Sequence, residues 1–302
     1  MTFTGLFVPL VTPFTAGDDI ATDALEGLAH SALDGGATGL VALGTTAEAA
    51  TLTTAEQQLV LEICARVCLE RDAALIVGAG SNSTAASADS LAALRAPVAA
   101  ALTVVPYYTR PSEAGVLAHF RRLAATSPVP LIVYNVPHRT GRTLGANTLH
   151  ELARIPNIAG FKHAIGGIDD ATVTFMSTLP PAVDVLAGDD LHAAALLALG
   201  ASGGILASAN VAPTAYTRLI SAWRTGTVAE ARAHAHRLAA LSAALFAEPN
   251  PTVIKAVLAA RGRIPTPAVR LPLLPAAEST TAAALDALDR CDDFVPLAAS
   301  FR

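Results

Sequence analysis

Short runs rich in Val, Ile, Leu and Ala alternate with longer alanine- and leucine-rich segments from the first residues to Trp223. The runs at 6–10, 39–43, 75–79, 101–105, 131–136, 159–164, 184–187 and 204–207 read as strands. The segments at 22–34, 53–69, 84–94, 113–125, 146–153, 169–178, 191–199 and 213–223 read as helices. Several carry start signals, among them Thr53 with Glu56 three residues on and Ser112 before Glu113. Eight strand-helix units with short connections predict an α/β fold in which a parallel sheet closes into a (β/α)8, or TIM, barrel. No glycine-rich dinucleotide fingerprint follows the first strand, which argues against an open doubly wound sheet.

After Trp223 the strands stop. Helices are expected at 228–246, 252–261 and 276–288, with a proline-rich stretch at 264–275 between the last two. The expected organisation is a barrel over 1–225 that carries the site and a C-terminal helical region over 226–302 packed on it. Three helices without a strong charge pattern would have difficulty stabilising themselves alone.

One residue breaks the apolar pattern. Lys162 stands in Ile158-Ala159-Gly160-Phe161-Lys162-His163-Ala164, a run that otherwise reads as a buried strand. A buried lysine pays for desolvation when charged, so it tends to present a neutral, nucleophilic amine, as Schiff-base chemistry requires. Composition sharpens the point: Lys and Arg together number 20, yet only Lys162 and Lys255 are lysines. Arginine keeps its proton in proteins and cannot replace an amine nucleophile.

The remaining composition narrows the function class. A net charge of −5 and the lack of any basic block argue against a nucleic-acid or anionic-membrane surface. Although 52% of the chain is apolar, no run approaches the length of a spanning helix, and Met1-Thr2-Phe3-Thr4-Gly5 shows no secretory pattern. A cytoplasmic protein handling small molecules is the expectation. Cys64 and Cys68, four apart on a helical pattern, and the distant Cys291 have no metal or redox spacing and read as free thiols.

Polar clusters fall at one end of the strands. Gly44-Thr45-Thr46 follows the second, Tyr107-Tyr108 the fourth, Tyr134-Asn135 lies in the fifth, and Gly188-Asp189-Asp190 follows the seventh. In a barrel these ends converge on one pocket. The turn at Thr45 and Thr46 offers hydroxyls and backbone N–H groups to a carboxylate. Tyr134 has the reach to exchange protons with a nearby amine. Arg139, on the loop after the fifth strand, has the planar fork to hold a second carboxylate. His138, His163 and His192 have no metal spacing, and His163, alternating with Lys162, should face the helices.

With these residues in place the chain resembles the pyruvate-dependent, Schiff-base class I aldolases, the family containing dihydrodipicolinate (4-hydroxy-tetrahydrodipicolinate) synthase and N-acetylneuraminate lyase. The likeness runs from Val11-Thr12-Pro13-Phe14 through 102–111 and Tyr134-Asn135-Val136-Pro137-His138-Arg139-Thr140-Gly141 to Glu248-Pro249-Asn250-Pro251 and Arg270-Leu271-Pro272. The intact arginine is typical of the synthases. The resemblance implies an imine between Lys162 and pyruvate, Thr45 and Thr46 on the pyruvate carboxylate, and Gly188 and Ile205 lining its pocket. It implies proton relay through Tyr134, Thr45 and a Tyr108 supplied by a neighbouring subunit, and Arg139 on the carboxylate of aspartate semialdehyde. It further implies lysine and diaminopimelate biosynthesis, no metal or organic cofactor, and a homotetramer built as a dimer of dimers. The alternatives are another pyruvate lyase or aldolase acting on a sugar acid or aromatic aldehyde, and a non-catalytic binding barrel.

Three positions depart from the family pattern. Ala47 and Ala49 stand where glycine and serine are usual, and His163 where an acidic residue usually follows the lysine. Ala47 loses backbone freedom if its turn needs positive φ. Members inhibited by lysine commonly place an acidic residue and a histidine at the positions of Ala86 and Gln57, so weak or absent lysine feedback is expected here.

Overall fold

Eight strands, β1 Gly5–Pro9, β2 Gly39–Ala42, β3 Ala74–Gly78, β4 Ala100–Val104, β5 Leu131–Asn135, β6 Ile158–His163, β7 Asp184–Ala187 and β8 Gly203–Ile205, pair in parallel and in sequence order. β8 pairs back onto β1 through Gly5 with Gly203 and Phe7 with Ile205, which closes the barrel. This is a computed structural model, and it describes residues 2–94, 97–225 and 227–292. Residues 1, 95–96, 226 and 293–302, which fall within the segments expected from the sequence, lie outside the described residues.

Strands buried on both faces read as near-continuous apolar runs, and the two faces do different work here. Phe7, Val41, Ile76, Leu102, Ile132, Leu186 and Ile205 fill the barrel interior. Leu6, Val8, Leu40, Leu75, Val77, Val133, Phe161 and Val185 face the surrounding helices. Those helices are α1 Thr22–Asp34, α2 Thr54–Glu70, α3 Thr84–Ala92, α4 Glu113–Thr126, α5 Pro137–Thr140, α6 Ala146–Ala153, α7 Asp170–Ser177, α8 Ala193–Ala198 and α9 Pro213–Thr225.

Two of the differences from the sequence expectation are capping effects. Thr53 stands outside α2 because its hydroxyl accepts the Glu56 N–H while the Glu56 carboxylate accepts the Thr53 N–H. Asp169 likewise caps α7 by accepting the Thr172 N–H. β8 stops at Ile205 where a strand to residue 207 was expected. The Asp190 carboxylate takes the N–H groups of Ala207 and Ser208 at 3.3 and 2.6 Å, and the chain turns there into a 3-10 helix, Ala207–Asn210. Asn210 then ties the seam, donating to the Pro9 and Ala207 carbonyls and accepting from the Val11 N–H.

Beyond the barrel, α10 Val228–Leu245 runs along α9, and α12 Glu278–Asp292 packs on α10 and on α11 Thr252–Ala260. The end of α10 and the start of α11 come to lie over the C-terminal rim of the strands. Among the described residues no helix is long and apolar enough to cross a membrane.

Candidate active site

Lys162 on β6 stands directly opposite Tyr134 on β5, and the lysine Nζ lies 4.4 Å from the centroid of the tyrosine ring. Both side chains are buried. They open into a cavity of about 470 Å³ at the C-terminal ends of the strands. Gly188, just past β7, makes the passage: a Cβ there would come within 2.6 Å of Lys162 Cγ and 2.9 Å of its Cε. Ile205 forms part of the wall and is fully buried.

Thr45 and Thr46 reach the cavity from a 3-10 turn, Thr45–Ala47, that follows β2. Thr46 Oγ1 accepts a hydrogen bond from Asn250 Nδ2 at 3.0 Å, which leaves its own proton to donate. The positive φ of this turn falls on Leu43 and Glu48, at 55° and 53°, and not on Ala47, so alanine at 47 strains nothing.

Arg139 lines the cavity from α5, a single helical turn where the sequence pattern predicts a loop. Pro137 begins it and Gly141, at φ 68°, ends it. Proline at the first position and a left-handed glycine after the last are together the signal that was there to read. Tyr108 is placed differently: it is 87% exposed, has a φ of 69°, and does not line the cavity of its own chain. Tyr107 is also exposed.

The cavity has further lining residues, of which Asp190 belongs to the Gly188-Asp189-Asp190 cluster expected at this end of the strands. Asp190 is buried beside the lysine, and burial pushes its carboxyl up to about 6 against the pull of the Ser208 N–H and of Lys162. His192 and His138 face the same space. The His192 Nδ1 lies 3.3 Å from Asp189 Oδ1, and burial, helped by Arg139, holds His138 below the ordinary histidine range. Ser242, Ala243, Phe246 and Asn250 come from α10 and the segment before α11, far from any strand end. Glu248-Pro249-Asn250-Pro251 was visible as a segment, but its position over the cavity is a tertiary fact.

His163 does face the helices. Its Nε2 is 2.9 Å from Thr172 Oγ1, whose hydroxyl donates to Asp169, so the imidazole carries its proton on Nε2 and its Nδ1 is left to accept from Asn135 Nδ2 at 3.4 Å. Burial pushes its pKa down to about 4. Among the described residues no group of three or more His, Cys, Asp or Glu is arranged to hold a metal ion.

An amine buried against a phenol, in one cavity with two threonines and an arginine, is equipped for carbonyl chemistry on an anionic substrate. The model of the dihydrodipicolinate synthetase family matches residues 2–290. The chain belongs to this family. Its members are class I aldolases that need no metal or organic cofactor. The chain is 35% identical to the 4-hydroxy-tetrahydrodipicolinate synthase of Methanothrix thermoacetophila over 292 residues, 96% of this chain and 98% of that one. It is 43% identical to that of Azoarcus sp. strain BH72 over 206 residues, 68% of this chain and 70% of the relative. Among solved structures it resembles the chloride-inhibited dihydrodipicolinate synthase from Acinetobacter baumannii complexed with pyruvate. The TM-score is 0.91 and the identity 35%, over 97% of this chain and 100% of that one. The enzyme from Cyanidioschyzon merolae with lysine bound matches at a TM-score of 0.90 and 31% identity, over 96% and 98% of the two chains.

Proposed function

We propose that this member of the dihydrodipicolinate synthetase family is a lyase that condenses pyruvate with L-aspartate 4-semialdehyde to 4-hydroxy-tetrahydrodipicolinate, through an imine on Lys162. The observation that carries the reading is the Lys162 amine buried against Tyr134 in a cavity shared with Thr45, Thr46 and Arg139. The relatives' names point to the same reaction.

The Lys162 amine adds to C2 of pyruvate, and water leaves as the imine forms. Thr45 and Thr46 hold the pyruvate carboxylate, and Thr46, which accepts from Asn250, has its hydroxyl proton to donate to it. Tyr134, working with Thr45, moves the protons of addition and dehydration and takes one from the C3 methyl to give the enamine. Enamine C3 attacks the aldehyde carbon of the semialdehyde, whose carboxylate lies on Arg139. The amino group of that substrate then attacks C2, and the Lys162 amine departs as the ring closes. Gly188 and Ile205 shape the pyruvate end. Tyr108, exposed on its own chain, enters the relay of a neighbouring copy, which requires at least a dimer; the resemblance to the family adds a dimer of dimers. It acts in the cytoplasm, within lysine and diaminopimelate synthesis.

Borohydride reduction in the presence of pyruvate, with the labelled peptide identified by mass spectrometry, tests the imine. A pyruvate adduct on the peptide containing Lys162 is expected; no adduct, or one on Lys255, overturns the mechanism. Turnover with aspartate semialdehyde should exceed that with 2-keto-3-deoxy sugar acids, sialic acid or aromatic aldehydes, and the reverse order would replace the second substrate.

A further inference from the structure

The chain has two lysines, and the chemistry above uses one. Lys255, in the first turn of α11, is completely buried, and its Nζ lies 2.7 Å from Glu48 Oε1, itself buried. The other Glu48 oxygen accepts the Arg270 backbone N–H at 2.8 Å, so the C-terminal region occupies both ends of the carboxylate. The ammonium also lies 4.0 Å from the centre of the Phe14 ring, which the Arg270 guanidinium approaches at 4.4 Å.

A buried ion pair is a poor way to hold two surfaces together. Each ion loses several kcal/mol of hydration, and well-packed apolar side chains of the same volume often do as well or better. What such a pair does supply is a fixed location, and Glu48 is where a location matters. Its N–H bonds to the Thr45 carbonyl and closes the turn that carries both cavity threonines. Its φ of 53° is one that a non-glycine residue holds only when its surroundings impose it. The same turn is gripped twice more: Asn250, just ahead of α11, donates to the Thr46 hydroxyl, and Thr12 donates to the Ala47 carbonyl at 2.8 Å. The choice of lysine also makes sense. Apart from Lys162 the chain otherwise uses arginine, but a guanidinium brings five N–H donors into a site that offers one carboxylate oxygen and a ring face.

We propose that Lys255 is a positioning residue: through its ion pair with Glu48 it holds the Thr45–Thr46 turn in the geometry that receives the pyruvate carboxylate, without touching substrate. The proposal rests on the reading of Thr45 and Thr46 as the pyruvate carboxylate site. It assigns the C-terminal helical region a part in pyruvate affinity, transmitted by one buried contact.

The test pairs Lys255→Met with Glu48→Gln, which removes both charges and leaves an oxygen for the Arg270 N–H. Steady-state kinetics in both substrates, borohydride trapping across a pyruvate series and thermal melting are measured on the full-length protein. The expected result is a rise in the pyruvate KM of about tenfold, with kcat changed by less than about threefold and the KM for the semialdehyde unmoved. The pyruvate concentration for half-maximal trapping should rise in parallel. An unchanged pyruvate KM overturns the proposal, and so does a uniform fall in kcat and both affinities that follows the loss of melting temperature, since that marks a purely structural pair. Should the double variant not fold, Lys255→Gln, which retains a donor toward Glu48, carries the same expectations and the same refutations. Thr46→Val separates the two layers of the argument. If it leaves pyruvate KM unchanged, the carboxylate reading fails and the proposal with it; if it raises pyruvate KM while the Lys255 variants do not, the positioning role alone fails.

Discussion

Gly188 is a glycine because Lys162 runs across it. A Cβ at 188 would also press on Ala164, at 3.1 Å, so the lysine chain has to yield. Gly188→Ala should therefore fold and still lose about 100-fold in the rate of pyruvate adduct formation, since an ångström of misplacement at a reacting atom has that effect. Stopped-time borohydride trapping measures the rate directly, and an unaltered rate would remove Gly188 from the set of residues that shape the nucleophile.

On the proposed mechanism Tyr134 divides its work between packing and proton transfer. Its ring lies with Ile132, Val136 and Leu186 in the barrel interior, and phenylalanine preserves that contact. Tyr134→Phe should melt within a few degrees of the parent while kcat falls by about 100- to 1,000-fold, the usual range for losing a proton-transfer group. Parallel melting curves and turnover assays check it; a loss of under about fivefold would mean that another group carries the protons.

Acid should weaken the fold through its buried histidines. His163 has a folded pKa of about 4 against about 6.5 in the unfolded chain. Above pH 6.5 both states are neutral there and nothing is lost. As the pH falls from 6.5 towards 4 the unfolded chain binds a proton that the folded one refuses, so stability declines across that window, by up to about 3 kcal/mol. His119, also pushed down to about 4 by burial, acts in the same sense. Asp190, pushed up to about 6, acts in the opposite sense, because its folded form takes up a proton first. Two histidines outweigh one carboxyl. His163→Gln should accordingly lose about 2 kcal/mol less than the parent between pH 6.5 and 4.5 in urea unfolding. Equal losses would show that the parent imidazole is charged in the fold.

Feedback by lysine should be weak. Gln57 spends its amide on the Ala49 and Leu52 carbonyls at 3.0 and 3.2 Å, and Ala86 on α3 offers no charge to an ammonium group. Initial rates should be unaffected by submillimolar lysine, and strong inhibition in that range would refute this.

Much of the barrel was legible because each of its strands is short, apolar and bounded by turn residues. β7 has the bounds expected from the sequence, and α1 and α6 do as well. Two misreadings have causes that no local hydrophobic pattern shows. β8 ends early because Asp190, 15 residues before its last residue, captures two N–H groups after it. α5 is four residues long and has no periodicity to detect. The site divides in the same way. Lys162, Tyr134, Thr45, Thr46, Arg139, Gly188 and Ile205 line one cavity, and all stand on or just after strands, where the barrel rule directs attention. Asn250, Phe246 and Ser242 were invisible, because nothing local in a helical segment says which strand ends it will cover. Lys255 was noticed only for its rarity; its partner lies 207 positions away and no pattern connects them.

The wall of the cavity built by α10 and the segment leading into α11 contains no barrel strand. That wall does not come alone: Asn250 and Lys255 arrive on the same stretch and hold Thr46 and Glu48. A chimaera that exchanges the helices after α9 with those of a relative would keep the amine, the phenol and their register, and would carry across both the lining of the cavity and the grip on the threonine turn.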